Sequence, residues 1–103
     1  MSSVTELWQT WQEGFANKDS SKLAEFLTDD FEMVVPPGTR SRQQTLDWTA
    51  GGGSPTTIDN LEVLYENHEV AVYTNGANNG VAMCFYTKRG DKFSHLRAVT
   101  QVV

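Results

Sequence analysis

The segment Phe26–Trp48, FLTDDFEMVVPPGTRSRQQTLDW, contains three local signals that together decide the fold. Residues Phe31–Val35 are mostly aromatic or branched, which predicts a β-strand. Pro36 has no backbone N–H and therefore predicts the end of strand pairing. The letters SRQQ, which begin at Ser41, place Ser and Gln at the spacing of a capping box. They predict a helix that extends to about Ala50.

Two further helices are predicted before this segment. Ser3 and Glu6 have the spacing of a second capping box at the start of the first helix. From there apolar residues recur at intervals of three and four, as on one face of an amphipathic helix: Val4, Leu7, Trp8, Trp11 and Phe15. After a turn at Asn17–Ser20, a second helix is predicted, with Asp29-Asp30 at its end. Its predicted apolar face consists of Leu23, Phe26 and Leu27.

The second half of the chain predicts an antiparallel sheet that follows a flexible break at Gly51–Pro55. Apolar runs bounded by turn residues predict four strands: Thr57–Glu66, Glu69–Asn75, Val81–Thr87 and Phe93–Val103. In the first of these strands, one face is predicted to carry Leu61, Val63 and Tyr65. The order ααβαββββ predicts a single α+β domain over residues 1–103, with the helices covering one face of a curved sheet.

The composition disfavours several classes of function. The formal net charge is −5 and the eight Lys and Arg residues are scattered, which disfavours nucleic acid and anionic membranes as partners. There is no apolar run long enough to span a bilayer and no signal peptide, so a cytoplasmic protein is expected. Two separated His residues and one Cys do not form a metal-binding pattern, and no metal or other cofactor is expected. Cys84 is expected to be a small buried hydrophobic residue, and His68 a solvated turn residue.

The order of these features resembles the nuclear transport factor 2-like superfamily, in particular its SnoaL-like and ketosteroid isomerase-like members. The resemblance rests on NKDSSKLAEFLTDDFEMVVPPG, which begins at Asn17, and KRGDKFSHLRAV, which begins at Lys88. It implies a cystatin-like cone, in which a curved antiparallel or mixed sheet wraps around three N-terminal helices and leaves a mostly apolar pocket. It also implies a homodimer that pairs through the outer face of the sheet. An apolar stripe is expected on that face: Phe93, Val99 and Val103.

The resemblance also implies where catalytic residues would lie, and this sequence has other residue types there. Val35 matches the Asp general base of ketosteroid isomerases, and Trp11 matches the Tyr that donates to the oxyanion. Their second donor, a protonated Asp, matches Ala82 or Met83, because the last hairpin is about one residue longer than usual. The His and Asp of SnoaL-like cyclases are matched by Leu96 and Ala98.

Strand alternation decides what the last strand presents to the pocket. Every second residue is expected to lie inside: Ser94, Leu96, Ala98, Thr100 and Val102. His95 and Arg97 would then face outward. A one-residue bulge would instead exchange the two faces and bring His95 and Arg97 into the pocket.

The leading hypothesis is a SnoaL-like protein that binds a small apolar or aromatic molecule and lacks the acid and base residues of its relatives. The predicted lining residues are Trp8, Trp11, Phe15, Val35, Trp48, Leu96 and Ala98. The first alternative is a cofactor-free isomerase, dehydratase or cyclase, which two titratable groups within hydrogen-bonding reach would favour. Its candidate residues are His95, Asp47, Trp11 and Tyr73. The second alternative is a protein-interaction module, which a pocket plugged by its own Trp side chains would favour.

Overall fold

The computed structural model describes residues 3–35, 38–53, 58–77 and 80–102. The predictions for Pro36, for the break at Ser54 and Pro55, for the strand start at Thr57 and for Val103 lie outside these residues, as does the side chain of Val102. Within the described ranges, three helices pack against one face of a six-stranded sheet. The predicted α+β class and the predicted order of elements are confirmed, with one additional short strand.

The first helix, α1, comprises Val4–Asn17 and begins at the predicted capping box. The Glu6 N–H donates to the Ser3 hydroxyl, and the Ser3 N–H donates to the Glu6 carboxylate. Four residues of the predicted apolar stripe are buried: Val4, Leu7, Trp8 and Trp11. Among the described helices, none has the length and apolar character needed to cross a bilayer.

The second helix, α2, comprises only Ser21–Ala24 and is shorter than predicted. Asp29-Asp30 does not end it, because both residues lie in strand β1, Leu27–Val35, with exposed side chains. The prediction was wrong because long-range pairing outweighs the local helical pattern. The Phe93 N–H donates to the Phe26 carbonyl at 2.8 Å, and this bond brings the chain into the sheet directly after Phe26.

Strand β2, Gly38–Ser41, was not predicted; it pairs antiparallel with β1. Helix α3, Arg42–Ala50, follows it directly and begins at the second predicted capping box. The Gln44 N–H donates to the Ser41 hydroxyl, and the Ser41 N–H donates to the Gln44 side chain. Where the sequence predicted one strand and then a capped helix, the structure therefore has a two-stranded hairpin and then that helix.

The remaining strands, β3 to β6, comprise Ile58–Glu66, Val70–Ala77, Gly80–Arg89 and Lys92–Val102. The strand order in the sheet is β2-β1-β6-β5-β4-β3. β1 and β6 run parallel and all other neighbours run antiparallel, so the sheet is mixed. The two halves of the chain therefore meet where β1 pairs with β6.

A bulge at Ser94 decides which side chains of β6 face the helices. Phe93 pairs with Lys88 and His95 pairs with Thr87, so Ser94 is the extra residue on this strand. The bulge precedes His95 and leaves it on the outer face of the sheet. Phe93 turns inward instead and is only 1% exposed, so its predicted place in an outer stripe was wrong.

Beyond the bulge, the alternation of β6 follows the prediction. Leu96 and Ala98 are buried, whereas Arg97 is exposed on the outer face. Thr100 pairs with the buried Ala82 and shares its face, but Thr100 itself is exposed, contrary to the expectation of an inside position.

Strand β3 is irregular, and the expectation of a single face for Leu61, Val63 and Tyr65 is wrong. Val63 pairs with Tyr73, whereas Tyr65 pairs with Val72. A step of two residues along β3, from Val63 to Tyr65, thus corresponds to a step of only one residue along β4. Val63 and Tyr65 therefore lie on opposite faces of the sheet. Both side chains are exposed, which is consistent with the position of β3 at the edge of the sheet.

Candidate functional site

A cavity of about 180 Å³ lies between the helices and the inner face of the sheet. Helices α1 and α3 and each of the six described strands contribute to its lining. Five of the lining side chains are aromatic: Trp11, Phe15, Trp48, Tyr73 and Tyr86. Several others are small, and their size leaves the volume open: Ala77, Ala82, Cys84 and Ala98.

Three aromatic side chains on α1 and α3 form one wall of the cavity. The Phe15 ring meets the Trp48 ring edge to face, with centroids 5.1 Å apart and an interplanar angle of 76°. The Trp11 and Phe15 centroids are 6.5 Å apart. Both distances lie in the favourable range for aromatic pairs. The backbone of Gly53 lies against the Phe15 ring, so that even a Cβ atom there would collide with it.

The indole of Trp11 contributes its ring to the cavity, but its N–H is already occupied. Trp11 Nε1 donates to Thr49 Oγ1 at 2.9 Å, and Thr49 Oγ1 donates to the Thr45 carbonyl at 2.9 Å. Both Thr side chains are fully buried. This chain of bonds fixes the indole, so the N–H at the position matched to the oxyanion-binding Tyr is not available to a ligand.

Two Tyr hydroxyls meet on the sheet side of the cavity. The hydroxyl oxygens of Tyr73, on β4, and Tyr86, on β5, are 2.9 Å apart, and the ring centroids are 5.5 Å apart. Burial raises the pKa of both hydroxyls well above the ordinary value near 10. Both groups are therefore neutral at physiological pH and can act as hydrogen-bond donors or acceptors.

Cys84 lies directly opposite Tyr73 on the neighbouring strand and also lines the cavity. Burial raises the pKa of its thiol to about 11, against a smaller opposing effect of the Tyr73 hydroxyl. A thiol with this pKa remains protonated at neutral pH and is a poor nucleophile. Cys84 thus has the buried position predicted for it.

Arg40, on β2, lines the cavity and was not recognised from the sequence. Its guanidinium carbon lies 4.3 Å from the centroid of the Trp48 ring, in cation–π geometry. The residue is half-buried. Its position depends on β2, which forms only by pairing with β1 and carries little apolar pattern of its own. The one local signal that could have assigned Arg40 to the inner face was the alternation of side chains along a strand, counted back from Ser41 at the start of α3.

Six of the seven predicted lining residues do line the cavity: Trp11, Phe15, Val35, Trp48, Leu96 and Ala98. Trp8 does not; it lies in the core, 7% exposed, and its Nε1 has no hydrogen-bond partner among the described residues. Of the two alternatives matched to the second donor of ketosteroid isomerases, Ala82 lines the cavity, whereas Met83 is 48% exposed on the outer face.

Of the four candidate residues for the enzyme alternative, Trp11 and Tyr73 line the cavity, whereas His95 and Asp47 do not. His95 is on the outer face, where it pairs with Thr87 and with Glu32 of β1. Asp47 is exposed on α3 and accepts a hydrogen bond of 2.8 Å from Gln43. In the described part of the chain, no three His, Cys, Asp or Glu side chains are close enough together to hold a metal ion.

The titratable side chains that line the cavity, among the described residues, are Arg40, Tyr73, Cys84 and Tyr86. Burial keeps Tyr73, Cys84 and Tyr86 protonated at neutral pH, and the Arg40 guanidinium has donors but no acceptor. The arrangement can donate hydrogen bonds and offer a positive charge, but none of these groups is a ready acceptor of a proton. It is suited to hold a ligand oxygen rather than to remove a proton from carbon.

No protein-family model matches the chain, and no curated protein matches it significantly in sequence. Solved structures do match along almost the whole chain. An NTF2-like protein from Anabaena variabilis is 15% identical with a TM-score of 0.77, over 97% of this chain and 87% of that one. A hexachlorocyclohexane dehydrochlorinase from Novosphingobium barchaimii is 19% identical with a TM-score of 0.63, over 95% and 84%.

A domain of unknown function with a cystatin-like fold, from Nostoc punctiforme, is 10% identical with a TM-score of 0.67, over 97% of this chain and 76% of that one. Identities at this level are informative about the fold and not about the activity. The chain therefore has a nuclear transport factor 2-like, cystatin-like fold, as the resemblance of its sequence predicted.

Proposed function

We propose that this protein binds a small apolar or aromatic molecule, about the size of one substituted ring, in the cavity. The observation that carries the proposal is an open volume of about 180 Å³ walled by aromatic side chains. An apolar cavity of about 150 Å³ is sufficient to bind benzene, so a ring with a short substituent matches the available volume. The small side chains on β5 and β6 support the proposal, because larger residues there would fill the space.

Catalysis is supported less well than binding. The Tyr73 and Tyr86 hydroxyls meet the geometric condition for the enzyme alternative, since two titratable groups lie 2.9 Å apart in the cavity. Their raised pKa keeps both protonated at neutral pH, so they can stabilise a ligand oxygen but cannot serve as a general base. No carboxylate or imidazole belongs to the described lining residues, so an isomerase or lyase mechanism would find no base among them.

Native mass spectrometry of freshly purified protein tests the proposal. We expect bound mass that is released on denaturation, and a melting temperature that rises when toluene is added to the ligand-free protein. Ala98→Phe, which fills the cavity, should abolish both effects. Ala16→Phe adds the same side chain at an exposed position of α1 and should leave both unchanged. A wild-type protein that shows neither bound mass nor a toluene-dependent shift would contradict the proposal.

A second proposal concerns the outer face of the sheet, where an apolar patch is exposed. We define the outer patch as Val81, Met83, Phe85 and Val99, which are 41–58% exposed on the adjacent strands β5 and β6. Glu32 and Arg97 lie on the same face and carry opposite charges. A surface that carries an apolar patch together with positive and negative charges can be complementary to a second copy of itself about a two-fold axis. We therefore propose a homodimer that pairs through the outer patch.

A further inference from the structure

Arg40 places a positive charge at the wall of an otherwise mostly apolar cavity. It pairs with Met33 across the β1–β2 hairpin, and directly paired residues of two strands point to the same face. Met33 is buried on the inner face, so Arg40 also projects toward the helices, where both residues line the cavity. The charge is thus directed inward by the register of the hairpin.

The guanidinium is held in place without being neutralised. Its central carbon lies 4.3 Å from the centroid of the Trp48 ring, a cation–π contact that keeps the charge and does not use the N–H donors. Among the described residues, no carboxylate lies within ion-pairing distance of Arg40. Arg89 differs, because it makes two hydrogen bonds to the Asp30 carboxylate. Arg40 thus brings N–H donors to the wall of the cavity and has no acidic partner within the described residues.

We infer that the ligand of the cavity is a small aromatic carboxylate. Its ring would lie against the wall formed by Phe15 and Trp48, and its carboxylate would accept hydrogen bonds from Arg40. A carboxylate matches the planar fork of Arg with two parallel bonds. A more highly charged group such as a phosphate dianion fits less well, because Arg40 is the one cation among the described lining residues and the net charge of the chain is −5. This inference rests on the proposed function of the cavity.

The test compares acids with their neutral amides of the same shape: benzoate with benzamide, and phenylacetate with phenylacetamide. Affinities are measured by calorimetry, and the Trp11 indole N–H resonance reports whether each probe enters the cavity. For at least one pair, the wild-type protein should bind the acid about tenfold or more tightly than the amide, as expected for a charge-assisted hydrogen bond. Raising the salt concentration should reduce the affinity for the acid and leave that for the amide unchanged.

Three substitutions locate the source of this preference. Arg40→Met keeps an unbranched apolar side chain and should abolish the preference while retaining the affinity for the amide. Arg40→Lys should retain part of the preference, because the charge remains but the fork is lost. Arg97→Met removes a charge from the outer face and is the matched control; the preference should persist in this variant.

The outcomes separate this inference from the proposed function. If acid and amide bind the wild-type protein equally, or if Arg40→Met keeps the preference, the inference is overturned while the cavity remains a binding site. If no member of either pair binds at millimolar concentration although toluene does, the inference alone fails. If neither these probes nor toluene binds, the proposed function fails as well.

Discussion

At Cys84, burial turns a reactive side chain into an inert one. The residue is 6% exposed, and burial raises the pKa of its thiol from 9.0 to about 11. A ligand in the cavity would therefore meet a small, neutral surface at this position rather than a thiolate. Burial of the Tyr73 and Tyr86 hydroxyls has the same effect on their ionisation, so none of these three side chains carries a negative charge at neutral pH.

The same shift makes the stability of the protein depend on pH. Between about pH 9 and pH 11, unfolded Cys84 loses its proton while folded Cys84 retains it. The unfolded state then binds fewer protons than the folded state, so the free energy of unfolding falls as the pH rises. The full loss is on the order of 2–3 kcal/mol for a shift of this size.

Urea denaturation at several pH values across this window measures the effect, with Cys84→Ala as the comparison. The variant should show a flatter dependence between about pH 9 and pH 10, before buried Tyr residues add a dependence of their own. Parallel curves for the two proteins would show that the thiol does not titrate differently in the folded state.

At the scale of elements, the features set by neighbouring residues were predicted correctly, whereas those set by long-range strand pairing were not. The capping boxes at Ser3 and Ser41 act within a few residues, so the sequence alone was sufficient to recognise both. Asp29-Asp30 looked like a helix end because the pairing of β1 with β6 cannot be seen locally. The bulge at Ser94 likewise depends on register across the last hairpin, and it decided that Phe93 lies inside the sheet rather than on its outer face.

The candidate site shows the same division. Trp11 and Phe15 follow from helical periodicity together with the resemblance, and both line the cavity. Arg40 was missed because its strand exists only through pairing with β1. The contact between Tyr73 and Tyr86 was missed because the two residues are diagonal neighbours on β4 and β5, which only the register between those strands reveals.

Gly53, in the segment after α3, contributes to the shape of the cavity through its contact with Phe15. Gly53 has a φ of +67°, and a Cβ there would enter the Phe15 ring. Gly53→Ala should therefore combine backbone strain with overpacking and reduce the free energy of unfolding by about 2–4 kcal/mol. Because Phe15 lines the cavity and has to move, the variant should also lose affinity for the toluene probe.

Two other glycines separate these contributions in chemical denaturation experiments. Gly90→Ala has a φ of +63° but open space around its Cβ, so we expect backbone strain alone, about 1–2 kcal/mol. Gly51→Ala has a φ of −81° and only ordinary contacts, so its effect should lie within about 1 kcal/mol of zero. A Gly53→Ala variant no less stable than Gly90→Ala would show that the Phe15 ring is not packed against Gly53.

At the scale of the whole molecule, the inner face of the sheet lines the cavity and its outer face carries the outer patch. Strand alternation on β5 and β6 assigns neighbouring residues to opposite roles: Cys84 and Ala98 face the cavity, whereas Met83 and Val99 belong to the outer patch. Ligand binding and dimerisation should therefore respond to different substitutions even where the residues are adjacent in sequence. This separation can be tested on β6 with substitutions at two consecutive positions.

Val99→Lys should convert the protein from a dimer to a monomer, because it places a charge in the outer patch directly opposite Met83, where Val99 is 58% exposed. Sedimentation velocity at micromolar concentration should show twice the 11.5 kDa mass of one chain for the wild type and a single chain mass for the variant. Thr100→Lys is the matched control, since Thr100 is exposed but shares the face of Ala82. It should remain dimeric, and Val99→Lys should still bind toluene. A monomeric wild-type protein would rule out the proposed dimer, and monomers in both variants would place the interface elsewhere on β6.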